Sequence, residues 1–221
     1  MKIAAIIVAA GRGLRAGGDT PKQWRPLAGH SSTYFAVQAF VRHPRVSRVV
    51  LVMNGADIAA GLWPGGFDAD VVAGGETRSL SVRAGLEQVA PDYDQVLIHD
   101  AARACIMRDV IDGVIAALQS HKAAAPAVAV VDALWRGTSG HVEQTVDRTG
   151  LFRAQTPQGF DLKAILAAHR QFPEGGADDV ELARLAGMDV AITPGHEDNI
   201  KITLPEDFER AERILRARDG H

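Results

Sequence analysis

The sequence contains a single cysteine and no apolar stretch long enough to cross a membrane. Because Cys105 has no second cysteine to pair with, an intrachain disulfide and a cysteine-cluster metal site are excluded, and packing is its expected role. A lone thiol also fits a reducing compartment. The apolar opening run from residue 3 to 10 ends in Gly-Arg-Gly, which does not resemble a signal-peptide cleavage site. We therefore expect a cytoplasmic protein with no membrane partner.

The chain also lacks an excess of charge of one sign. Its 24 basic residues are balanced by 27 acidic ones, for a net charge of −3. Such a chain has no overall attraction to nucleic acid or to an anionic membrane, so no nucleic-acid partner is expected and any phosphate binding must be local. Its 221 residues can bury a full core without disulfides or a structural metal, and we interpret residues 1–221 as one domain.

Short apolar runs rich in Val and Ile alternate with helix-like patterns, which is typical of an α/β fold with a mostly parallel sheet covered on both faces. The predicted strands are residues 3–9, 48–53, 69–72, 95–99, 127–131 and 189–193. The predicted helices are residues 33–42, 79–89, 108–119, 162–170 and 180–186, followed by a last helix. That helix opens on a capping-box pattern of Thr203 and Glu206, with Pro205 in its first turn.

One segment, from about Trp135 to Gln158, breaks the alternation. It has little helical periodicity, and residues 142–146 have the pattern of a strand. We predict that this strand projects from the main sheet or pairs with a partner chain, as a domain swap or dimer arm would.

A glycine-rich loop follows the first strand. It reads Ala9-Ala10-Gly11-Arg12-Gly13-Leu14-Arg15 and is followed by Pro21-Lys22-Gln23. Backbone N–H groups of such a loop can converge on an anion, and Arg15 and Lys22 supply mobile positive charge for a triphosphate. The alternative is an ordinary surface loop with solvated arginines.

Two other phosphate loops fit this segment less well. A Walker motif needs lysine where Asp19 stands, and a carboxylate there would repel phosphate. The dinucleotide fingerprint is satisfied in spacing by Gly11, Gly13 and Ala16, but residues 17–21 interrupt the helix that should begin there.

Three further clusters carry polar groups at places where ligands bind. A second glycine turn, residues 74–82, can present backbone and hydroxyl groups to a base, although Ser79 could instead only cap its helix. Asp100 ends the fourth strand, where it is suited equally to holding Mg²⁺ against a phosphate or to capping a turn. His99 beside it is interpreted as structural. Lys201, on a predicted short strand before the last helix, could reach the same phosphate or be a plain surface lysine.

Together these segments resemble the 2-C-methyl-D-erythritol 4-phosphate cytidylyltransferase family of the non-mevalonate isoprenoid pathway. The matching residues, in family order, are Ala9-Ala10-Gly11-x-Gly13-x-Arg15, Pro21-Lys22-Gln23, Gly74-Gly75-x-x-Arg78-x-x-Ser81-Val82-x-x-Gly85-Leu86, Asp100-Ala101-Ala102-Arg103, Asp147-Arg148, Gln155-Thr156-Pro157-Gln158 and Asn199-Ile200-Lys201-Ile202-Thr203. One such motif is a weak signal, but seven in order over nearly the whole chain are a strong one.

The resemblance implies a Rossmann-like nucleotide-binding sheet with helices on both faces, a projecting β-arm at about residues 133–157 and a homodimer. It implies transfer of CMP from CTP to the acceptor phosphate, with Mg²⁺ held by Asp100 and with charge neutralised by the catalytic residues Arg15, Lys22 and Lys201. The implied nucleotide-binding residues are Ala9, Ala10, Gly11, Gly13, Gly75, Glu76, Arg78, Ser81, Asp100 and Ala101. Those implied to hold the acceptor phosphate are Arg103, Thr156 and, from the second subunit, Arg148.

The sequence departs from the family pattern at several positions. Ala177 stands where relatives usually have a threonine that touches the acceptor phosphate, so one hydroxyl contact is missing. Ala104, Ala133 and Trp135 also replace residues usual in the family. The alternatives that stay open are a cytidylyltransferase for ribitol 5-phosphate or another polyol phosphate, and a non-catalytic nucleotide-binding module. An NAD-dependent oxidoreductase is a third class.

Overall fold

A computed structural model of the chain describes residues 1–11, 21–63 and 68–218. Its strands are β1 (Ile3–Ala9), β2 (Pro26–Leu27), β3 (His30–Ser31), β4 (Arg48–Met53), β5 (Asp70–Ala73), β6 (Gln95–Asp100), β7 (Ala123–Ala129), β8 (Leu134–Thr138), β9 (His141–Val146), β10 (Phe152–Ala154), β11 (Gln158–Asp161) and β12 (Val190–Pro194). Its helices are α1 (Ser32–Val41), α2 (Gly55–Ala59), α3 (Arg78–Val89), α4 (Arg108–Ala117), α5 (Leu162–Gln171), α6 (Asp179–Leu185) and α7 (Glu206–Arg218), with a 3-10 turn at Lys22–Trp24.

Within the described residues, eight strands form one sheet in the order β10, β7, β11, β6, β1, β4, β5, with β12 paired to β7. The pairs of β1 with β4 and β6, of β4 with β5 and of β7 with β12 are parallel. Only β10 and β11 run against the rest, because β11 is antiparallel to β6 and β7, and β10 is antiparallel to β7. The predicted α/β fold with a mostly parallel sheet is confirmed.

Side chains of the central strand β1 alternate between two cores, as the period of a strand requires. The core on one face also includes residues of α1 and α4, and β1 contributes Ile3, Ala5, Ile7 and Ala9 to it. The core on the other face includes residues of α3 and α5, and the β1 segment contributes Ala4, Ile6 and Ala10. Helices therefore cover both faces of the sheet, and each buried Ile or Leu stabilises the fold by about 1.5–3 kcal/mol relative to exposure.

The helix α3 lies unusually close to the sheet because of Gly85. A Cβ at this position would lie 2.7 Å from Ile6 Cγ2 and 3.0 Å from Val52 Cγ2. Any side chain there would push the helix away from β1 and β4. The spacing matters for function, since the start of α3 carries polar groups to the edge of the sheet.

A third, smaller core joins α7 to the segment that precedes it. It contains Leu27, Ala104, Cys105, Ile202, Ala211 and Leu215. Burial raises the pKa of the Cys105 thiol to about 11, so this cysteine is an inert packing residue, as predicted. Contacts of Ile202 in this core fix the backbone next to Lys201.

Several predicted elements need correction. The strand predicted at 127–131 spans Ala123–Ala129, because the buried alanines at its start pair with β11 and β12 but carry no β-branched signal. Lys201 does not lie on a strand, and its segment is irregular. The capping box at α7 is also wrong in detail, since Asp207, not Glu206, accepts hydrogen bonds from the N–H groups of Thr203 and Leu204, at 2.7 and 2.8 Å.

The segment that breaks the alternation contains a hairpin, β8–β9, whose strands pair only with each other among the described residues. It therefore projects from the main sheet, as predicted. Its large apolar side chains are exposed, Trp135 at 64% and Val142 at 57%. The expectation that this arm contacts a partner chain stays a prediction. In the part of the chain that the structure describes, no helix has the length and apolarity needed to traverse a bilayer.

Candidate active site

A cleft of about 240 Å³ lies at the carboxyl edge of β1 and β6, against the start of α3. In open α/β sheets this edge is where ligands bind. The cleft is lined by Val8, Ala9, Ala10, Gly11, Lys22, Gln23, Gly75, Glu76, Thr77, Arg78, Ser81, Asp100, Ala101, Ala102 and Lys201. Five separate stretches of the sequence therefore meet around one cavity.

Most of the predicted nucleotide and catalytic residues line this cleft. They are Ala9, Ala10, Gly11, Lys22, Gly75, Glu76, Arg78, Ser81, Asp100, Ala101 and Lys201. Gly13 and Arg15 lie outside the described residues. Their individual roles stay predictions, but the structure brings together residues as far apart in the chain as Ala9 and Lys201.

The first wall of the cleft is held by Gln23, a residue to which the sequence analysis gave no role. Its side chain is 4% exposed, and its Nε2 donates to the carbonyl oxygens of Ala9, at 2.9 Å, and Gly11. The carbonyl oxygen of Gln23 in turn accepts from Thr33 Oγ1 at 2.8 Å. These bonds hold the turn that carries Lys22 against the end of β1.

The second wall is the turn before α3, which approaches the end of β1 closely. A Cβ at Gly75 would lie 2.5 Å from Leu80 Cβ, so only glycine fits this backbone path. Ser81 is buried, and its Oγ lies within hydrogen-bonding distance of the Gly75 and Thr77 carbonyl oxygens, at 3.2 and 2.9 Å. Thr77 is the N-cap of α3, since its Oγ1 accepts from the Leu80 N–H at 3.1 Å. Ser79 is therefore not the cap of this helix.

Three charged side chains, those of Lys201, Asp100 and Arg78, line the floor of the cleft, and the buried Asp179 lies behind them. Asp100 Oδ2 lies 2.7 Å from Lys201 Nζ, and Asp100 Oδ1 lies 3.4 Å from Arg78 Nη2. Arg78 Nη2 also lies 2.8 Å from Asp179 Oδ2. Burial alone would raise the pKa of Asp100, but Arg78 and Lys201 hold that pKa well below its usual range. The same carboxylates keep the pKa of Arg78 above its usual value despite burial. Asp100 and Arg78 are therefore both charged at neutral pH.

A directed chain of hydrogen bonds lies behind Asp100. The Asp100 N–H donates to Thr156 Oγ1 at 3.2 Å, and this hydroxyl lies 2.9 Å from His99 Nδ1. His99 Nε2 lies 3.2 Å from the Arg103 carbonyl oxygen. One arrangement satisfies every group: Thr156 donates to Nδ1, and Nε2–H donates to the carbonyl. Burial lowers the pKa of His99 to about 4, so the ring is neutral and structural, as its sequence context indicated.

The predicted acceptor-binding residues lie beyond the cleft wall. Thr156 is 5% exposed, with its hydroxyl bonded inside the protein. Arg103 Nη1 donates to the Asn199 carbonyl at 2.6 Å, and its Nη2 donates to the Ala154 carbonyl at 3.2 Å. Arg148, next to the β8–β9 hairpin, is exposed and donates to the Val131 carbonyl oxygen. None of the three lines the cleft.

Two buried amides that the sequence analysis left without a role position Lys201. Gln155 Nε2 donates to the His196 carbonyl at 2.8 Å, and Gln155 Oε1 accepts from the His196 N–H at 3.1 Å. Asn199 is 0% exposed, and its Nδ2 donates to the Thr156 carbonyl at 2.9 Å. Lys22 Nζ donates to the Ile202 carbonyl at 2.6 Å, which joins the two lysine-bearing segments. Polar residues in irregular segments give no local sequence signal for such a role.

The residues at the cleft fit a magnesium ion that shares its ligands with a phosphate substrate. Among the described residues, no group of three His, Cys, Asp or Glu side chains could hold a metal by itself. Mg²⁺ usually binds through one or two carboxylates together with substrate phosphates and water. Asp100, ionised at the cleft floor, is the donor that this mode of binding needs.

Known proteins resemble this chain over its whole length. A model of the family described as IspD, 2-C-methyl-D-erythritol 4-phosphate cytidylyltransferase, matches residues 3–217. A protein of Roseobacter denitrificans named 2-C-methyl-D-erythritol 4-phosphate cytidylyltransferase is 61% identical over 221 residues, which is 100% of both chains. A protein of Paracoccus denitrificans named bifunctional enzyme IspD/IspF is 58% identical over 214 residues, which is 96% of this chain and 56% of that protein.

The fold agrees with these relatives. The crystal structure of 2-C-methyl-D-erythritol 4-phosphate cytidylyltransferase from Thermus thermophilus has a TM-score of 0.83 at 30% identity, over 98% of this chain and 100% of that chain. The matched residues 3–217 include every segment that forms the cleft. The chain therefore belongs to the 2-C-methyl-D-erythritol 4-phosphate cytidylyltransferase family.

Proposed function

We propose that this protein transfers CMP from CTP to 2-C-methyl-D-erythritol 4-phosphate, giving 4-diphosphocytidyl-2-C-methyl-D-erythritol and pyrophosphate for isoprenoid precursor synthesis. The observation that carries the proposal is the cleft, where Lys22, Lys201, Arg78 and Asp100 meet beside the turn that holds Gly75 and Ser81. Cations suit a triphosphate, and backbone and hydroxyl groups suit a base. Membership of the family supplies the reaction and its two substrates.

In the proposed reaction, an oxygen of the acceptor phosphate attacks the α-phosphorus of CTP. A new P–O bond forms as the bond between the α-phosphorus and the oxygen that bridges to the β-phosphorus breaks, and pyrophosphate leaves in line. The attacking oxygen is already ionised at neutral pH, so no general base is needed. The buried, neutral His99, which makes both of its hydrogen bonds inside the protein, is consistent with this.

The protein's part is then to position the phosphates and neutralise charge. Lys22 and Lys201 would bind the α-phosphate and the leaving group, together with Arg15, which lies outside the described residues. The side chain of Lys201 is 45% exposed, so its ammonium group can turn from Asp100 toward a bound phosphate. Asp100 would hold Mg²⁺, which when bound supplies further neutralisation of the triphosphate.

We also propose a cytoplasmic homodimer in which the β8–β9 hairpin is the contact arm. Trp135 and Val142 are exposed on a hairpin that has no partner strand among the described residues, and apolar side chains of this kind favour association. In such a dimer, Arg148 would reach the acceptor phosphate of the other subunit. Arg103 and Thr156 would support the acceptor site from within the same subunit.

The experiment that tests the function is release of pyrophosphate from CTP and Mg²⁺ with three acceptor conditions. These are 2-C-methyl-D-erythritol 4-phosphate, ribitol 5-phosphate and no acceptor. Release only with the first supports the proposal. Release only with ribitol 5-phosphate keeps the chemistry and changes the substrate. CTP binding without release of pyrophosphate in any of the three conditions indicates a non-catalytic nucleotide-binding module.

A further inference from the structure

A closed ring of side chains lies behind the cleft and includes Arg78. Arg78 Nη2 is 2.8 Å from Asp179 Oδ2, and Asp179 Oδ1 is 3.1 Å from His169 Nε2. His169 Nδ1 is 3.2 Å from Ser79 Oγ. Because Ser79 follows Arg78 directly in the chain, the contacts close on themselves and join α3, α5 and α6.

The two members of this ring on α5 and α6 are buried and do not line the cleft. The side chains of His169 and Asp179 are 0% and 1% exposed. A carboxylate with so little solvent requires polar partners. His169 Nε2 is at hydrogen-bonding distance from Asp179 Oδ1, whereas Arg78 is an ion-pair partner of Oδ2, which accepts no hydrogen bond from the described residues. Neither residue can touch a nucleotide in the cleft, so any effect on catalysis must act through Arg78.

Arg78 is shared between two carboxylates, those of Asp179 and Asp100. Arg78 Nη2 lies nearer to Asp179, at 2.8 Å, than to Asp100, at 3.4 Å. Asp100 Oδ2 lies 2.7 Å from Lys201 Nζ, and Asp100 lines the cleft. If Asp179 were displaced, the guanidinium would be free to form a two-pronged pair with Asp100, which would turn that carboxylate away from the cleft.

We propose that His169 and Asp179 are positioning residues for CMP transfer. The pair holds the Arg78 guanidinium between the two carboxylates, so that Asp100 keeps its orientation toward the bound nucleotide. This inference rests on the proposed function and adds to it two residues that contact neither substrate.

The test compares His169→Gln with His169→Asn. Both amides are polar and similar in size, but glutamine places its donor near the position of Nε2, which faces Asp179, whereas asparagine places its amide near Nδ1, which faces Ser79. We expect kcat of His169→Asn to fall by about tenfold to a hundredfold, as loss of a supporting contact to a site commonly does, and His169→Gln to restore most of that loss. KM for the acceptor phosphate should stay within about twofold, since Arg103 and Thr156 lie on other elements.

The chain offers a matched control in His43. Its Nε2 lies 3.2 Å from Asp112 Oδ1, and its side chain is 1% exposed, but neither residue lines the cleft. His43→Gln and His43→Asn should destabilise the fold to a similar extent without separating in kcat. Circular dichroism at the assay temperature checks that both His169 variants are folded. Equal kcat values for the two folded variants would overturn the proposal.

The experiments distinguish an error in the proposed function from an error in the positioning role proposed for His169 and Asp179. If the wild-type protein releases no pyrophosphate with either acceptor, the proposed function is wrong, and the ring is then judged by calorimetric binding of Mg²⁺·CTP. Weaker binding by His169→Asn than by His169→Gln, by about tenfold, supports the ring, and equal binding rejects it.

A milder variant covers the case in which neither amide variant folds. Ser79→Ala removes only the half-buried hydroxyl that orients His169. A kcat lowered severalfold with unchanged KM for the acceptor supports the positioning role, whereas wild-type kcat contradicts it.

Discussion

Lys201 combines a mobile ammonium group with a backbone that is firmly held. The buried side chain of Asn199, the hydrogen bond from Ile202 N–H to the Ala102 carbonyl at 2.9 Å and the contact with Lys22 fix its segment. Because its side chain is 45% exposed and its Nζ lies 2.7 Å from Asp100 Oδ2, the role proposed for Lys201 is electrostatic and not one of packing. Preorganised cations of this kind stabilise charge that develops in the transition state.

For Lys201→Ala we expect a fall in kcat of roughly a hundredfold or more, the usual cost of losing one preorganised group at a developing charge. Pyrophosphate release under saturating CTP measures it. Lys163→Ala, at an exposed lysine on α5, is the control and should leave kcat unchanged. Near-normal turnover of Lys201→Ala would refute its catalytic role.

His99 makes a separate prediction about stability. Burial lowers its pKa to about 4, whereas the ordinary value is 6.5. Between these pH values the unfolded chain binds a proton that the folded chain does not, so the free energy of unfolding falls as pH falls from about 6.5 toward 4, by at most about 1.4 kcal/mol per pH unit from this residue. Asp100 contributes only below this window, because its pKa lies below its ordinary value of 3.8.

His99→Gln should reduce this pH dependence. Urea unfolding of both proteins at pH 7 and pH 5 gives the difference. Burial also lowers the pKa of His43, but its contribution is common to both proteins and cancels. Parallel curves for the two proteins would show that His99 titrates normally in the folded state.

At the scale of elements, the distance between α3 and the sheet determines where the turn that holds Gly75 lies in the cleft. Gly85→Ala would place a methyl group 2.7 Å from Ile6 Cγ2, and we expect destabilisation by about 1–3 kcal/mol, the usual cost of overpacking. Gly113 on α4 is the matched control, because a Cβ there would meet nothing within 4 Å. Gly113→Ala should stabilise by about 0.5–1 kcal/mol. Urea unfolding measures both, and equal shifts would contradict the close packing of α3.

Local patterns predicted some elements well and others poorly. The strands β1 and β4 have the predicted bounds, because their Ile and Val runs are bordered by polar or glycine residues. The start of β7 was missed since alanines carry no strand signal, and β10 and β11 are too short to show a period. These strands were missed for one reason: contacts with residues distant in the chain, and not local propensity, determine where they form.

The candidate site also contains residues that local sequence patterns predicted and residues that they did not. Its glycine turns and the Asp100 segment follow strands and were predicted from that position in the sequence. Gln155, His169, Asp179 and Asn199 are joined by contacts between elements that are far apart in the chain, so no local pattern could indicate their partners. Irregular backbone held by buried amides, as at Lys201, is likewise outside the reach of strand and helix periodicities.

At the scale of the whole molecule, the role proposed for Arg148 depends on the proposed second subunit. It lies beside the projecting hairpin, exposed and outside the cleft, although a role with the acceptor phosphate is proposed for it. In the proposed dimer, an arm that carries its arginine into the neighbouring cleft would reconcile the exposed position of Arg148 with its proposed role. It would also make each complete site a product of two chains.

Mixing two inactive variants tests this arrangement. In a dimer of Lys201→Ala with Arg148→Ala, one cleft has both substitutions, while the other combines an intact Lys201 with an intact Arg148 from its partner. Since random mixing makes roughly half of the dimers mixed and each has one complete site, we expect about a quarter of wild-type kcat per chain after co-refolding. Each variant alone should stay inactive, and co-refolded wild-type protein gives the reference rate. If Arg148 acted within its own subunit, or if the protein were a monomer, mixing would restore nothing, because no chain in the mixture would carry both residues.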